Sequence, residues 1–280
     1  MNIKIISDST CDLSAELIRK YDIAITPLIV MKEEQEFEDG TTITPAEIFA
    51  HVAGGGNLCS TAARSVGFYQ DTFARYADSY DGIIHVNIGS GFSSSYQNAC
   101  LAAEEFDNVR CIDSQNLSTG QGLVVLKAWE LAQTATSLDA LADELRAYSE
   151  KVEASFLVDK LDFLVKGGRC SSAAALGANL LNLKPCIEVK NGKMTVVKKY
   201  RGNYPKSLAA YVKDRLANRE DIDWSTLFVT QTLVSEECYQ AVIDAVSEFG
   251  HFDSVYETTA GCTVSCHCGP GTLGILFVRK

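Results

Sequence analysis

The chain has 280 residues, enough for one large α/β domain or two smaller ones sharing an interface. Apolar residues make up 46% and charged residues 22%, a balance that excludes a largely disordered polypeptide. The formal charge of −11 disfavours nonspecific nucleic-acid binding over most of the surface.

The first half alternates strand and helix patterns. Ile3 to Ile6 predicts a strand, Ser14 to Tyr21 a short helix, and Ile23 to Met31 a second strand, followed by an acidic hairpin through Glu38-Asp39-Gly40. Thr44-Pro45-Ala46-Glu47 carries the signature of a capping box with Pro in the first turn, opening a helix to about Val52 that Gly54-Gly55-Gly56 ends. Ser65 to Tyr80 reads as a helix, with Val66, Tyr69, Phe73 and Tyr76 at helical spacing. A strand at Ile83–Ile88, a helix at Ser93–Phe106, a strand at Val109–Asp113 and helices over 118–134 and 138–152 follow. Such β-α alternation predicts a parallel sheet covered on both faces, a three-layer α/β/α domain.

The second half has a different pattern. A short strand at Ser155–Val158 leads to a helical stretch near Lys160, which Gly167-Gly168 interrupts. A small-residue helix over Ala173-Ala174-Ala175-Leu176-Gly177-Ala178 comes next, then a hairpin from Pro185 to Lys199 around Asn191-Gly192. A helix at 205–217, a strand at 227–231, a helix at 235–248 and strands at 252–258 and 273–278 complete the chain. The expectation is an α/β protein of two domains: residues 1–153 forming the parallel-sheet domain and residues 154–280 an α+β layered domain.

The N-terminus reads as a first strand with no secretory apolar segment, and no apolar run approaches the roughly 18 residues of a membrane span. Most of the ten cysteines sit inside apolar periodic segments, among them Cys100, Cys111, Cys186 and Cys238, and behave as small buried hydrophobes. A reducing cytoplasm is the expected compartment. Charge is uneven: between Lys184 and Arg215 nine Lys or Arg face only Glu188 and Asp214, which leaves −18 on the remainder. That basic segment is either a docking face for something anionic or a solvated hairpin and helix.

Three clusters could carry chemistry. The strand ending at Ile88 runs into Gly89-Ser90-Gly91-Phe92-Ser93-Ser94-Ser95-Tyr96, where glycines admit a ligand and Ser93 is placed to cap a helix whose first N–H groups face an anion. This is either a carboxylate or phosphate site or a plain N-cap serine. Leu58-Cys59-Ser60-Thr61 offers hydroxyls ahead of the helix start at Ser65, and Cys266-His267-Cys268-Gly269-Pro270-Gly271-Thr272 places a histidine on a loop. A zinc site at Cys262, Cys266, His267 and Cys268 is disfavoured, because adjacent ligands leave little room for tetrahedral closure and no second pair stands at zinc spacing. A Ser93–His267 hydrolase lacks the closing glycine of a nucleophile elbow and a declared acid, and no Gly-Lys-Ser/Thr phosphate loop occurs.

Seven segments in order resemble the signatures of the DegV family: Ser7-Asp8-Ser9-Thr10-Cys11-Asp12-Leu13, Ser90 to Gln97, Ile112-Asp113-Ser114-Gln115, Lys166-Gly167-Gly168-Arg169, Leu181-Asn182-Leu183-Lys184-Pro185, Lys199-Tyr200-Arg201-Gly202, and His267 to Gly274. The resemblance implies two α/β domains with a fatty acid between them. It also implies a carrier that is not itself a catalyst, needs no cofactor or metal, and presents the fatty acid to an ATP-dependent fatty acid kinase that makes an acyl phosphate. Carried over by position, Ser93 and His267 hold the carboxylate. Ser94, where the family often has glycine, contributes its backbone N–H. The family commonly has Thr-Ser-Gln-Pro-Ser where this chain has Ser60-Thr61-Ala62-Ala63-Arg64, so hydroxyls survive at Ser60 and Thr61 while the loop's shape differs. Arg169 and Arg201 are the partner-docking candidates, and membrane contact is at most transient. Burying a sixteen-carbon tail gains about 0.8 kcal/mol per CH₂, while the carboxylate needs paired donors. The rival reading is an enzyme acting on a small carboxylate or phosphate substrate, with His267 as general acid or base.

Overall fold

The computed structural model describes residues 1–175 and 183–280. The second half of the small-residue helix expected at 173–178 and the Leu181-Asn182 pair lie outside the described residues.

The chain begins with β1 (Ile3–Asp8) and α1 (Ala15–Lys20), which Ser14 caps by accepting from Leu17 N–H. The strand expected over 23–31 is two strands in two different sheets, β2 (Ala24–Thr26) and β3 (Ile29–Lys32). Pro27 stands between them; it has no N–H to give a ladder, so the chain leaves one sheet and enters another there. The hairpin to β4 (Gln35–Glu38) turns at Glu33-Glu34, ahead of the expected Glu38-Asp39-Gly40, and Glu33 takes a left-handed φ of 54°. Then come α2 (Pro45–Ala53), with its Thr44/Glu47 capping box formed, β5 (Ser60–Ala62) and α3 (Val66–Ala77). The first half closes with β6 (Gly82–Asn87), α4 (Ser95–Ala103), β7 (Val109–Asp113), α5 (Thr119–Ala132) and α6 (Leu138–Ser149).

The second half runs through β8 (Val152–Leu157), α7 (Asp162–Gly167), α8 (Ser171–Ala174), β9 (Leu183–Lys190) and β10 (Lys193–Arg201). It continues with α9 (Tyr204–Leu216), β11 (Ile222–Thr232), α10 (Glu236–Phe249), β12 (Ser254–Thr259), α11 (Cys262–Cys268) and β13 (Thr272–Arg279). The division expected between residues 153 and 154 falls inside β8, so the chain enters the second sheet at Val152.

The first sheet has the order β2-β1-β6-β7 and is parallel throughout. The second, β10-β9-β8-β13-β11-β12, is antiparallel except for the β11–β12 pair. A small antiparallel sheet, β4-β3-β5, stands beside them. The period of two sorts the strand residues. Ile6 and Ile83 pack under Tyr69 and Phe73 of α3 and Ala99 and Ala102 of α4. Their neighbours Ile5 and Ile84 face the opposite way, into a core with Val124, Val125 and Ala128 of α5 and Leu141 and Leu145 of α6. That core also takes in Ala154, Phe156, Phe228 and Leu276 of the second sheet, so α5 lies between the two sheets. On the far face of the second sheet, Leu273, Ile275 and Phe277 pack against α9 and α10. The result is the expected α/β fold of a parallel-sheet layer joined to a mixed layer.

Candidate functional site

The carboxyl ends of β1, β2 and β6 meet on one buried carboxylate. Asp8 accepts from Tyr69 Oη (3.0 Å), Thr26 Oγ1 (3.1 Å), Asn87 Nδ2 (3.1 Å) and Ile88 N–H (3.0 Å). Four donors are what a fully buried carboxylate needs, and they fix where the chain leaves β6. Asp113 holds the next turn through Ser90 N–H (3.1 Å) and Ser90 Oγ (2.5 Å). A Cβ at Gly91 would stand 2.2 Å from Gly192 O, so the loop can pack against the β9–β10 turn only with glycine there. The loop then delivers Ser93. The expectation that Ser93 itself is the N-cap is corrected by one residue: Ser94 holds that position, and its side chain makes no capping bond. Ser93 Oγ accepts from Ser95 N–H at 3.2 Å and lies 2.9 Å from Ser95 Oγ, leaving it at the positive end of α4.

His267 was expected on a loop and stands instead in the last turn of α11. This seven-residue helix has Gly261 at its N-cap and no local side-chain cap. Carboxylates from the first half supply one: Asp39 accepts from Cys262 N–H (2.7 Å) and Thr263 N–H (3.2 Å), and Asp12 from Gly261 N–H (2.8 Å). Asp12 also accepts from Ser118 Oγ at 2.5 Å; burial drives its pKa up to about 8 against the lowering effect of these bonds. Ser9 Oγ donates to Asp39 at 2.9 Å and accepts from Leu28 N–H at 3.1 Å.

The helix brings His267 Nε2 to 2.8 Å from Thr61 Oγ1 on β5, joining two clusters that lie 206 residues apart in sequence. Burial, and secondarily the nearby Arg169 cation, lower the imidazole pKa to about 4, so the ring is neutral at pH 7. On its other side Nδ1 is buried without a partner among the described residues, and a Cβ at Gly167 would lie 2.5 Å from it.

Thr61, Ser93, Ser94 and His267 all line one cavity of about 600 Å³. Its apolar wall includes Leu28, Ile88, Phe92, Leu117, Met194 and Val264, drawn from both halves of the chain. Arg64, Asn98, Arg169 and Thr263 add polar groups. Ser60 is not part of this lining: it is exposed, next to Thr61 on a strand where successive side chains point to opposite faces. Thr263 was missed from the sequence. Its Oγ1 is buried and unpartnered among the described residues, and it sits one turn before His267 on the same helix face. Arg64 donates through Nε to Pro27 O (2.5 Å), pairs with Glu38 (2.6 Å) and lies over the Phe68 ring.

Arg169 is exposed at the cavity, with Nη1 donating to Gly167 O at 2.8 Å. Arg201 is not among the residues that line the cavity. It ends β10 seven residues beyond the cavity-lining Met194, roughly 23 Å along a strand. The basic segment is also partly neutralised: Lys184 pairs with Asp159 (2.5 Å), Lys198 with Asp214 (2.5 Å), and Arg215 with Glu153 and Glu188. Among the described residues no group of three or more His, Cys, Asp or Glu is placed to hold a metal ion. Cys262 and Cys266 pack with Val30, Ile48 and Phe49, whereas Cys268 faces the central core, because neighbours on a helix point in different directions. No helix among the described residues is long and apolar enough to cross a membrane.

The fold and the cavity define a two-domain α/β protein with a ligand-sized chamber lined by residues of both halves of the chain. The DegV family model matches residues 2–280, and the chain belongs to the DegV family. A DegV domain-containing protein of Clostridium perfringens is 31% identical over 282 residues, covering 99% of both chains. Among solved structures, a fatty-acid-binding DegV family protein of Thermus thermophilus matches with a TM-score of 0.90 at 27% identity over 100% of both chains. A stearic-acid-binding protein of Eubacterium ventriosum matches with a TM-score of 0.85 at 27% identity, covering 99% of this chain and 98% of that one.

Proposed function

We propose that the chain binds a long-chain fatty acid in the interdomain cavity and presents its carboxylate to an ATP-dependent fatty acid kinase. The observation that carries this reading is an apolar chamber of about 600 Å³ with Thr61, His267 and Ser93 among its lining residues. That volume lies within the usual range for small-molecule sites. A neutral His267 donates from Nε2 to Thr61 Oγ1, which frees the threonine hydroxyl proton to point at a carboxylate oxygen. Ser93 Oγ–H and the positive end of α4, including the Ser94 N–H, supply the remaining donors. An imidazole with a pKa near 4 is a weak base at pH 7, which favours a binding role over proton abstraction.

In the kinase step a carboxylate oxygen attacks the γ-phosphorus of ATP, ADP leaves, and the acyl phosphate stays on the carrier. Arg169, exposed at the cavity, is the nearer docking candidate, and Arg201 a second contact further along β10. Mass spectrometry of an organic extract of the purified protein tests the ligand: about one fatty acid per chain is expected. Polar metabolites alone, or an empty protein that ignores added fatty acid, would refute it. For the partner, Arg201→Glu should slow acyl-phosphate formation at unchanged occupancy, and an unchanged rate removes Arg201 from the docking face.

A further inference from the structure

Behind the inner wall of the cavity lies a second hollow of about 30 Å³. Leu117, Val264 and Cys268 line both spaces and therefore form the partition between them. The floor of the hollow is the inward face of the second sheet, with Ala154 and Phe156 of β8, Thr230 and Thr232 of β11, and Gly274 and Leu276 of β13. It stays open because Ala154 and Gly274 leave space between the larger Phe156 and Leu276. At Gly274 a Cβ would meet Ser155 O at 2.6 Å, so the position admits no side chain without backbone movement. Ala260, just before α11, closes one side.

The hydroxyls around this hollow are already engaged. Thr230 Oγ1 is bonded to Thr119 Oγ1 (2.6 Å) and Thr258 Oγ1 (2.8 Å), and Thr232 Oγ1 donates to Gly269 O (2.6 Å). Thr272 Oγ1 donates to Cys268 O (2.9 Å) and Ser118 Oγ to Asp12 (2.5 Å). A water placed here would find few of the two to four partners it needs, so the hollow suits hydrocarbon. The main cavity differs, because the buried Oγ1 of Thr263 in its lining has no partner among the described residues.

We infer that the hollow is a second hydrocarbon subsite. The end of an acyl chain passes Leu117, Val264 and Cys268 to enter it, and its floor sets the longest chain the protein accepts. This rests on the fatty-acid reading above. Since a water-sized group needs about 10–15 Å³ of such space, the hollow has room for about two terminal carbons.

The test uses two variants that do not line the main cavity. Leu276→Ala deepens the floor and Ala260→Leu fills the hollow. Each full-length protein is loaded from an equimolar ladder of saturated fatty acids, from dodecanoic to docosanoic acid. The bound acids are quantified by mass spectrometry, with a melting curve to confirm folding. The expected result is an upper length limit that rises by about two carbons in Leu276→Ala and falls by about two in Ala260→Leu. Should Ala260→Leu fail to fold, the shift in Leu276→Ala alone decides. A loaded wild type whose folded variants keep its chain-length distribution would overturn the subsite alone. A wild type that takes up no fatty acid from the ladder would overturn the fatty-acid reading and the subsite with it.

Discussion

The bond between Thr61 and His267 is the most exacting feature of the site, because neither group reaches a ligand in the proposed way without the other. At 2.8 Å, Thr61 Oγ1 can accept from His267 Nε2 and donate onward. In Thr61→Val the relay loses its last donor and leaves the Nε2–H unpaired; in His267→Ala the hydroxyl is left to rotate freely. A hydrogen bond to a charged group contributes about 1.5–3 kcal/mol, so each variant should weaken binding of a soluble medium-chain fatty acid by roughly 10- to 150-fold. If the two act as one unit, the double variant should be hardly worse than the weaker single. That corresponds to a coupling energy of about 1 kcal/mol or more. Calorimetric titration of the four proteins in the cycle measures this directly. Losses that simply add, or wild-type affinity in either single variant, would refute the relay and place the head group elsewhere.

Three further outcomes are expected. Thr263→Val removes a buried hydroxyl that has no partner among the described residues, and should raise the melting temperature of the ligand-free protein, a gain of about 1 kcal/mol; a destabilised variant would show that the hydroxyl is satisfied. Gly167→Ala places a Cβ where His267 Nδ1 now sits 2.5 Å away, so the ring must shift and fatty-acid affinity should drop by about tenfold with the fold retained; unchanged affinity would mean the ring position is not critical. The His267 pKa falls from 6.5 in the unfolded chain to about 4 when folded, so the unfolded state takes up the proton first as pH drops. The share of stability tied to the neutral ring is intact above pH 6.5 and is lost on going down to about pH 4, by at most roughly 3 kcal/mol. His267→Gln should flatten the acid limb of denaturant midpoint against pH, and an identical limb in both proteins would contradict the shift.

What the sequence disclosed depended on how local the physics was. The Thr44/Glu47 capping box and the Asn191-Gly192 turn, with φ of 50° and 67°, are decided within four residues and are found as expected. β7 has the expected bounds, because a buried strand between two helices is marked by its own apolar run. The break between β2 and β3 is marked locally by Pro27, which has no N–H to continue a ladder. α11 was not legible, since its caps come from Asp39 and Asp12, which lie 223 and 249 residues earlier, and its own sequence has glycine at the N-cap. Thr263 was missed for the same reason. The i, i+4 relation to His267 exists only if the segment is helical. Arg169 and Arg201 are both docking candidates by resemblance, but only Arg169 lines the cavity, while Arg201 ends the nine-residue strand that lines it through Met194.

The location of α11's caps bears on how the site is held together. A helix of seven residues has little stability of its own, so the position of His267 depends on what grips its N-terminus. Both gripping carboxyl groups belong to the parallel-sheet half, and Asp39 is held in turn by Ser9 at the end of β1. Ser9 and Asp12, within the first signature segment, therefore serve the site without lining the cavity: they dock the helix that carries His267 against the half that carries Thr61 and Ser93. Asp8 does the same for the Ser93 loop through Ile88 N–H. A carboxylate bound among these three residues would be held by groups whose positions were set by other carboxylates. Asp8, Asp12 and Asp39 all stand outside the cavity lining, and Asp12, with its pKa raised to about 8, is mostly protonated at pH 7, so none of the three puts competing negative charge into the chamber.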